Sequence, residues 1–430
     1  MFKLLELNHQ KPLPDRLIDS DMIMISGTND TQSWLFRRAL CVVICTCFGL
    51  FLWTHNNHLP SPIVEGHNKW FPWHTFTPNP EESHLAKEVF DLINSTMNPT
   101  NCTSAKYLLC EWTWHATWGM GSLIHQITAC LSAAVATNRV LQINSTNVSP
   151  DSWGNALLSP SDTCANHPLK DVQNWTAVKN PEASLVNTLK INVPHGKLKE
   201  WSPHEALHPY KVPSRFASIA LEHQLPELWM VAQYIRYLIQ PTEVLKQHIS
   251  DVVTKIGFRR PIIGVHVRRG DKVAPGPLKE ADLTPLTKYM NEIDKFVLQT
   301  QTNKTRYAIF VATDDVHVLN EARNTYEQYT FIRYDSNQTI RTNFLPILTD
   351  ILLLAETDYF VGTFTSNIGL LVHELRQQRY KDGSCMAKST DFPLYHYFMC
   401  CYFGYFRATK SPNCPSEVLK EQNRIASPIL

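Results

Sequence analysis

The chain reads as an α/β protein whose second half forms a doubly wound parallel sheet, and three features predict it. Strand-like and helix-like segments alternate regularly from Ile262 to Gln378, as expected of parallel strands joined by helical crossovers. The strand segments are β-branched and apolar on both faces, as in "PIIGVHV" (Pro261 to Val267), the pattern of strands covered by helices on both sides. With 430 residues, 43% hydrophobic and 18% charged, the chain is long enough for two domains with full cores.

The first element in order is the apolar run "ALCVVICTCFGLFLW", Ala39 to Trp53. Its length of about 22 Å as a helix falls short of the roughly 30 Å hydrocarbon core. Arg37 and Arg38 can snorkel on one side, and Trp34 and Trp53 hold interface positions. The arginine pair predicts a cytosolic tail over residues 1–38, a transmembrane signal anchor over 39–53 and a lumenal remainder. That topology resembles a single-pass type II Golgi membrane protein. A cleaved signal peptide is the alternative, against which stand the long preamble and the lack of a small-x-small cleavage site. Residues 54–80, rich in His, Asn and Pro, read as a stem.

Sequons downstream of the span lie at Asn94, Asn101, Asn144, Asn147, Asn174, Asn303 and Asn337, which suits glycosylation in a lumen. Eight cysteines follow the span: Cys102, Cys110, Cys130, Cys164, Cys385, Cys400, Cys401 and Cys414. An even set fits disulfides in an oxidising compartment. No CxxC pair occurs, so a zinc module is not expected.

A first globular region, 81–255, opens with a helix near Leu85 to Ile93. The stretch "WGMGSLIHQITACLSAAVATNRVLQI" (Trp118 to Ile143) then reads as a glycine-bearing turn, an apolar helix and a short strand. "PELWMVAQYIRYLIQ" (Pro226 to Gln240) has helical apolar spacing, Pro241 breaks it, and a second helix runs to Lys255.

In the second region, 256–385, strands are predicted at Ile262–Val267, Tyr307–Ala312, Thr330–Arg333 and Tyr359–Gly362. Helices alternate with them at Pro285–Gln299, through Leu319 and Ala322, at Phe344–Glu356 and at Asn367–Gln378. Residues 386–430, with Cys400, Cys401 and Cys414 just after Cys385 and the aromatic cluster "YHYFMCCYFGYF" (Tyr395 to Phe406), form an extension that reads as a small disulfide-pinned core, with a sugar platform as the alternative.

Open α/β sheets bind ligands beyond the carboxyl ends of their strands. That rule collects Arg268 to Lys272, read as a loop, with Thr313 to Asp315 and Thr363 to Asn367. Arg268 and Arg269 match pairs of phosphate oxygens, and the "TFTSN" turn opening the last helix adds a dipole-assisted anion site. The alternative for the arginines is an ion-pair cluster with Asp271, Asp314 and Asp315. For Asp314 and Asp315, a helix cap is as good a reading as a site. Asp350 can accept two donors from a guanine edge. The only Asp-x-Asp, Asp19-Ser20-Asp21, lies on the cytosolic side, so protein cations rather than a metal are expected to neutralise a leaving diphosphate. Forty basic against 39 acidic residues leave a net charge of +1, which argues against nucleic acid as a partner and for a small anion.

The string "GVHVRRGDKV" (Gly264 to Val273) closely resembles the donor-site motif of the α-1,6-fucosyltransferase family, with Gly270 where the family has Thr. The resemblance extends to "VATDD" (Val311 to Asp315), "DYFVGTFTSNIGLLVHEL" (Asp358 to Leu375), "NPTNCTSAKYLLC" and "WGMGSLIHQITAC", covering about residues 85–380. It implies a two-domain GT-B-like transferase with a Rossmann-like donor domain, using GDP-fucose without a metal or other cofactor. The family adds fucose to O6 of the innermost GlcNAc of N-glycans.

Residue by residue, the resemblance gives His266 and Asp350 the guanine. It gives Arg268, Ser366 and the Gly119–Gly121 turn the β-phosphate, with Asn367 where the family has Gln. Arg269, Asp271, Tyr289, Asp314 and Asp315 shape the donor pocket. Lys272 falls on the acceptor side, and Glu280, aligned across an apparent four-residue insertion at Ala274–Pro277, is the implied general base. A solvated loop carboxylate is the alternative for Glu280. The implied disulfides are Cys102 with Cys164 and Cys110 with Cys130. Gly362 and Gly369 replace a family cysteine pair, and the family's coiled-coil stem and SH3-like domain have no counterpart in this sequence. The partners implied are GDP-fucose, an N-glycan or other GlcNAc-bearing acceptor and the membrane through one helix, with a homodimer left open. A different glycan or peptide acceptor, or a non-catalytic binding protein, are the other readings.

Overall fold

A computed structural model describes residues 22–23, 80–113, 119–146, 153–175, 185–193, 212–220, 222–273, 282–300, 307–335, 344–377, 383–391, 396–399 and 404–407. The predicted span at Ala39–Trp53 lies outside them. Among the described residues, no helix is long and apolar enough to cross a membrane.

The first region opens with α1 (Pro80–Met97), β1 (Tyr107–Thr113), α2 (Met120–Ala136) and β2 (Val140–Thr146), followed by the short strands β3 (Val172–Asn174) and β4 (Thr188–Val193). The four strands form a parallel sheet in the order β2-β1-β4-β3. Arg139, buried at the start of β2, donates to the carbonyls of Tyr107, Val186 and Asn187, tying the three longer strands at their amino ends.

Helices α3 (Pro226–Leu238) and α4 (Glu243–Ile256) lead into the second region. Proline at the first position of α3 has its φ preset for a helix start. The Thr242 side chain caps α4 by accepting from Leu245 N, and Gly257 ends it at φ 66°, where a side chain would be strained. There follow β5 (Ile262–Val267), a single helical turn at Gly270–Val273, α5 (Leu286–Gln299), β6 (Ala308–Thr313), α6 (Val318–Thr325), β7 (Thr330–Ile332), α7 (Phe344–Glu356), β8 (Tyr359–Gly362), α8 (Asn367–Arg376) and β9 (Ala387–Ser389). The sheet is parallel throughout in the order β9-β8-β5-β6-β7.

Two differences from the sequence expectation bear on the site. The Arg268–Lys272 segment is not wholly a loop, because Asp314 accepts from the backbone N–H of Arg269 and Gly270 and so starts a helical turn there. The segment read as an extension contributes β9, an edge strand alternating buried, exposed and buried, beside β8. Beyond it, His396–Met399 and Gly404–Arg407 pair as an antiparallel hairpin within the aromatic cluster.

The strands of the second sheet are apolar on both faces because each face has its own core. Ile263, Val265 and Val267 join Tyr289, Ile293 and Phe296 on one side, where the rings of Phe296 and Tyr359 stack at 3.9 Å. On the other side a single cluster runs from Val89 and Leu123 through Trp229 and Tyr234 to Leu353 and Leu371. It crosses both regions, with α2, α3 and α8 packed together where they meet. α4 packs on α7, so it belongs spatially with the second sheet. Disulfides join Cys102 to Cys164 and Cys110 to Cys130 in the first region, and Cys385 is also disulfide-bonded.

Candidate functional site

The carboxyl ends of β5, β6 and β8 bring Arg268, Thr313 to Asp315 and Thr363 to Asn367 to one edge of the second sheet. They meet there because the three strands are adjacent and parallel, so their exits share an edge. A cleft of about 340 Å³ opens among them, lined by Arg268, Asp282, Lys288, Thr363, Thr365 and Asp391 along with neighbouring residues.

Arg268 pairs through its guanidinium with Asp314. Arg269 turns toward α6, its guanidinium 2.6 Å from Glu321 and 3.4 Å from Asp315. The hydrogen bond that Arg269 donates to Glu321, acting against burial and helped by Asp315, holds its guanidinium above the usual arginine range. Of the ion-pair cluster offered above as the alternative for the arginines, the pairs with Asp314 and Asp315 are formed, with Glu321 as a further partner, while the Asp271 side chain lies outside the described residues. Only Arg268 of the two lines the cleft. Asp315 also accepts from His317 N at 2.9 Å just before α6, and Asp314 starts the Gly270 turn. Asp314 thus acts as a cap of the Gly270 turn while it pairs with Arg268, whereas Asp315 closes a local turn ahead of α6, whose N-cap is His317.

Tyr289 is fully buried and lies under the cleft rather than in it. Burial pushes its hydroxyl up to about 12, opposed by the nearby Thr390 and Thr363 hydroxyls. His266 is buried on β5 and faces Gly369, where an added Cβ would sit 3.4 Å from its Nδ1. That same Cβ would lie 2.2 Å from the Thr363 carbonyl oxygen, so α8 approaches the turn as closely as backbone allows. Gly369, one of the two glycines at positions where the resemblance implies cysteines, thus closes the turn by direct packing. Asp350 is buried on α7, and burial together with its charge raises the hydroxyl of Tyr334.

Ser366 caps α8 in extended conformation without a side-chain hydrogen bond to the helix. Gly119 caps α2 in the same manner. The two helix starts touch, for a Cβ on Gly121 would lie 2.9 Å from Asn367. Gly121 is inside the first turn of α2 rather than in the preceding turn, and it is the absence of its side chain that lets α2 dock. The positive ends of two helix dipoles therefore meet at this contact, an arrangement suited to an anion.

Asp271 and Lys272 lie in the helical turn, with side chains outside the described residues, and Glu280 lies outside them altogether. Sequons at Asn94, Asn101, Asn144 and Asn174 are exposed, whereas Asn147, Asn303 and Asn337 lie outside the described residues.

Two contributors escaped the sequence. Asp391 accepts from Phe364 N at 2.8 Å, from Ser389 Oγ at 2.9 Å and from the Thr365 hydroxyl, and so shapes the turn. His125, from α2, bonds to Asn367 at 2.9 Å and Glu374 at 2.8 Å. A lone histidine on an apolar helix carries no signal of such a bridge. Asp391 could have been suspected only from its Ser-Thr-Asp setting.

Residues 75–395 match the family profile described as Alpha-(1,6)-fucosyltransferase N- and catalytic domains. Among curated proteins, an Alpha-(1,6)-fucosyltransferase of Drosophila melanogaster is 28% identical over 328 residues, 73% of this chain and 51% of that protein. Its Caenorhabditis elegans counterpart is 25% identical over 330 residues, 72% of this chain and 56% of that protein. The chain thus spans about half the length of the curated relatives it matches. Among solved structures, an Arabidopsis thaliana FUT1 mutant in complex with GDP aligns with TM-score 0.44 at 12% identity, over 73% of this chain and 78% of that one. The NodZ alpha-1,6-fucosyltransferase soaked with GDP-fucose aligns at 0.39 and 14%, over 63% and 92%.

Proposed function

Because the chain belongs to the alpha-(1,6)-fucosyltransferase family, we propose that it transfers fucose from GDP-fucose to O6 of the innermost GlcNAc of N-glycans, with inversion and without a metal ion. The fold is GT-B-like, and the cleft at the edge of the second sheet is the donor site. The observation that carries this reading is that Arg268 shares one cleft with Thr363 and Thr365 of the turn leading into α8, while the start of α2 docks on the start of that helix.

Arg268 exchanges Asp314 for the diphosphate when donor binds, and its fixed charge offsets the negative charge that develops on the leaving group. Ser366 and Asn367 add neutral donors at the start of α8. His266 and Asp350 hold the guanine, Asp350 from the buried face of α7. Lys272 and Glu280 serve the acceptor, Glu280 taking the proton of the attacking hydroxyl, a role worth roughly 10²–10⁴ in rate. Attack in line with the departing diphosphate inverts the anomeric carbon. The working compartment is the Golgi lumen, with the protein anchored through the Ala39–Trp53 span.

The test is incubation of the purified chain with GDP-fucose and a GlcNAc-terminated biantennary N-glycan in EDTA, read by mass spectrometry. One deoxyhexose on the innermost GlcNAc is the expected product. Hydrolysis or transfer to another acceptor alone would replace the acceptor assignment, and no reaction with any acceptor despite donor binding would leave a binding protein.

A further inference from the structure

His125 reaches from α2 to α8 with both ring nitrogens. Nδ1 lies 2.9 Å from Asn367 Oδ1 and Nε2 lies 2.8 Å from Glu374 Oε2, with His125 1% and Glu374 0% exposed. Both partner atoms are acceptors. A neutral imidazole has one N–H and meets only one of them, whereas an imidazolium meets both. The Glu374 carboxylate supplies the charge that a buried imidazolium needs. Burial alone pushes His125 down, but the charge and hydrogen bond of Glu374, with that of Asn367, outweigh it and hold the ring above the usual histidine value.

The consequence falls on Asn367, the first residue of α8. Its backbone is pinned by the contact with Gly121, so the orientation of its amide is what remains to be set. With Oδ1 engaged by His125, the amide turns its Nδ2 hydrogens away from α2, and the residue is only partly buried. We propose that His125, anchored by Glu374, is a positioning residue that fixes Asn367 with its N–H end toward the donor diphosphate. Freed from His125, the amide can rotate half a turn and set its carbonyl oxygen against an anion. The proposal rests on the cleft being the nucleotide-sugar site.

The experiment is calorimetric titration of GDP into the full chain, with thermal melting to confirm folding. His125→Gln and Asn367→Ala are each expected to weaken GDP roughly tenfold, the loss of one hydrogen bond to a charged group. The double variant is expected to bind no more weakly than Asn367→Ala alone, because His125 acts through Asn367. The KM for GDP-fucose of His125→Gln rises with the loss of affinity. Glu374→Gln retains affinity, since its amide can donate to Nε2 and leave Nδ1–H on Asn367, whereas Glu374→Met loses it. That pair carries the test should His125→Gln fail to fold. Wild-type affinity in His125→Gln, or losses that multiply in the double variant, overturns the positioning role alone. A wild type that binds no GDP overturns the donor-site reading and this proposal with it.

Discussion

Gly121 of α2 and Asn367 of α8 are in backbone contact, so close that a Cβ on Gly121 would lie 2.9 Å from the Asn367 carbonyl carbon. This contact joins the first region to the edge of the second sheet where the candidate donor cleft lies. Gly121→Ala should therefore part the two helix starts. We expect a destabilisation of about 1–3 kcal/mol, as for other overpacked sites, and a larger proportional loss of GDP affinity than of melting temperature. Melting and titration on the same sample check both.

Asp314 pairs with Arg268 and accepts from the N–H groups of Arg269 and Gly270. Asp314→Ala should cost about 1–2 kcal/mol through the lost cap. It should also raise the KM for GDP-fucose, because the turn that carries Arg268 loosens. An unchanged KM would show that the turn is held by other contacts.

Arg376 is fully buried and donates to the carbonyls of Leu354, Ala355, Thr357, Asp358 and Met386, beneath β8 and α8. Arg376→Met strands those acceptors and should destabilise by roughly 3–5 kcal/mol. Denaturant unfolding of the variant, with the midpoint shifted and the slope unchanged, is the expected result.

The disulfides Cys102–Cys164 and Cys110–Cys130 close separations of 62 and 20 residues. In the chain-entropy account, removing them by paired serine substitution costs about 4 and about 3 kcal/mol respectively. Both lie in the first region, so GDP affinity at a temperature where the variants stay folded should change little.

Stability should depend on pH through two buried histidines of opposite sense. His125 is held above its ordinary 6.5 in the fold, so its contribution is full below that value and is lost as pH rises through the folded value. His373, driven by burial and then by Arg376 to about 3, stays neutral in the fold while the unfolded chain takes up a proton. Its effect is a loss of stability as pH falls below 6.5 toward about 3. The melting temperature of wild type minus that of His125→Gln should therefore shrink as pH rises from neutrality. A difference constant with pH would contradict the protonated pair.

Strands β5 and β8 and helix α7 begin and end where the sequence predicts, because unbroken apolar runs are bounded there by charge, glycine or threonine turns. The first sheet was less legible. β3 is exposed at each of its three residues and shows no periodicity of its own, although β4 alternates Leu189, Ile191 and Val193 with Lys190 and Asn192, the pattern of a half-buried strand. At the site, the pairing of Arg268 with Asp314 follows from opposite charges at neighbouring strand ends. The turn of Arg269 to Glu321 does not, since it depends on where α6 places a residue six positions past Asp315. His125 and Asp391 act across elements distant in sequence, and no local pattern announces such contacts.

The central claim is that the edge holding Arg268, Ser366 and Asn367 binds the nucleotide diphosphate. It is tested most directly by titrating GDP in EDTA into the wild-type chain and into Arg268→Ala. Measurable binding by the wild type, weakened roughly 10- to 100-fold in Arg268→Ala by loss of a charge-assisted contact at an unchanged melting temperature, is the predicted result. Equal affinity in the two proteins would contradict it.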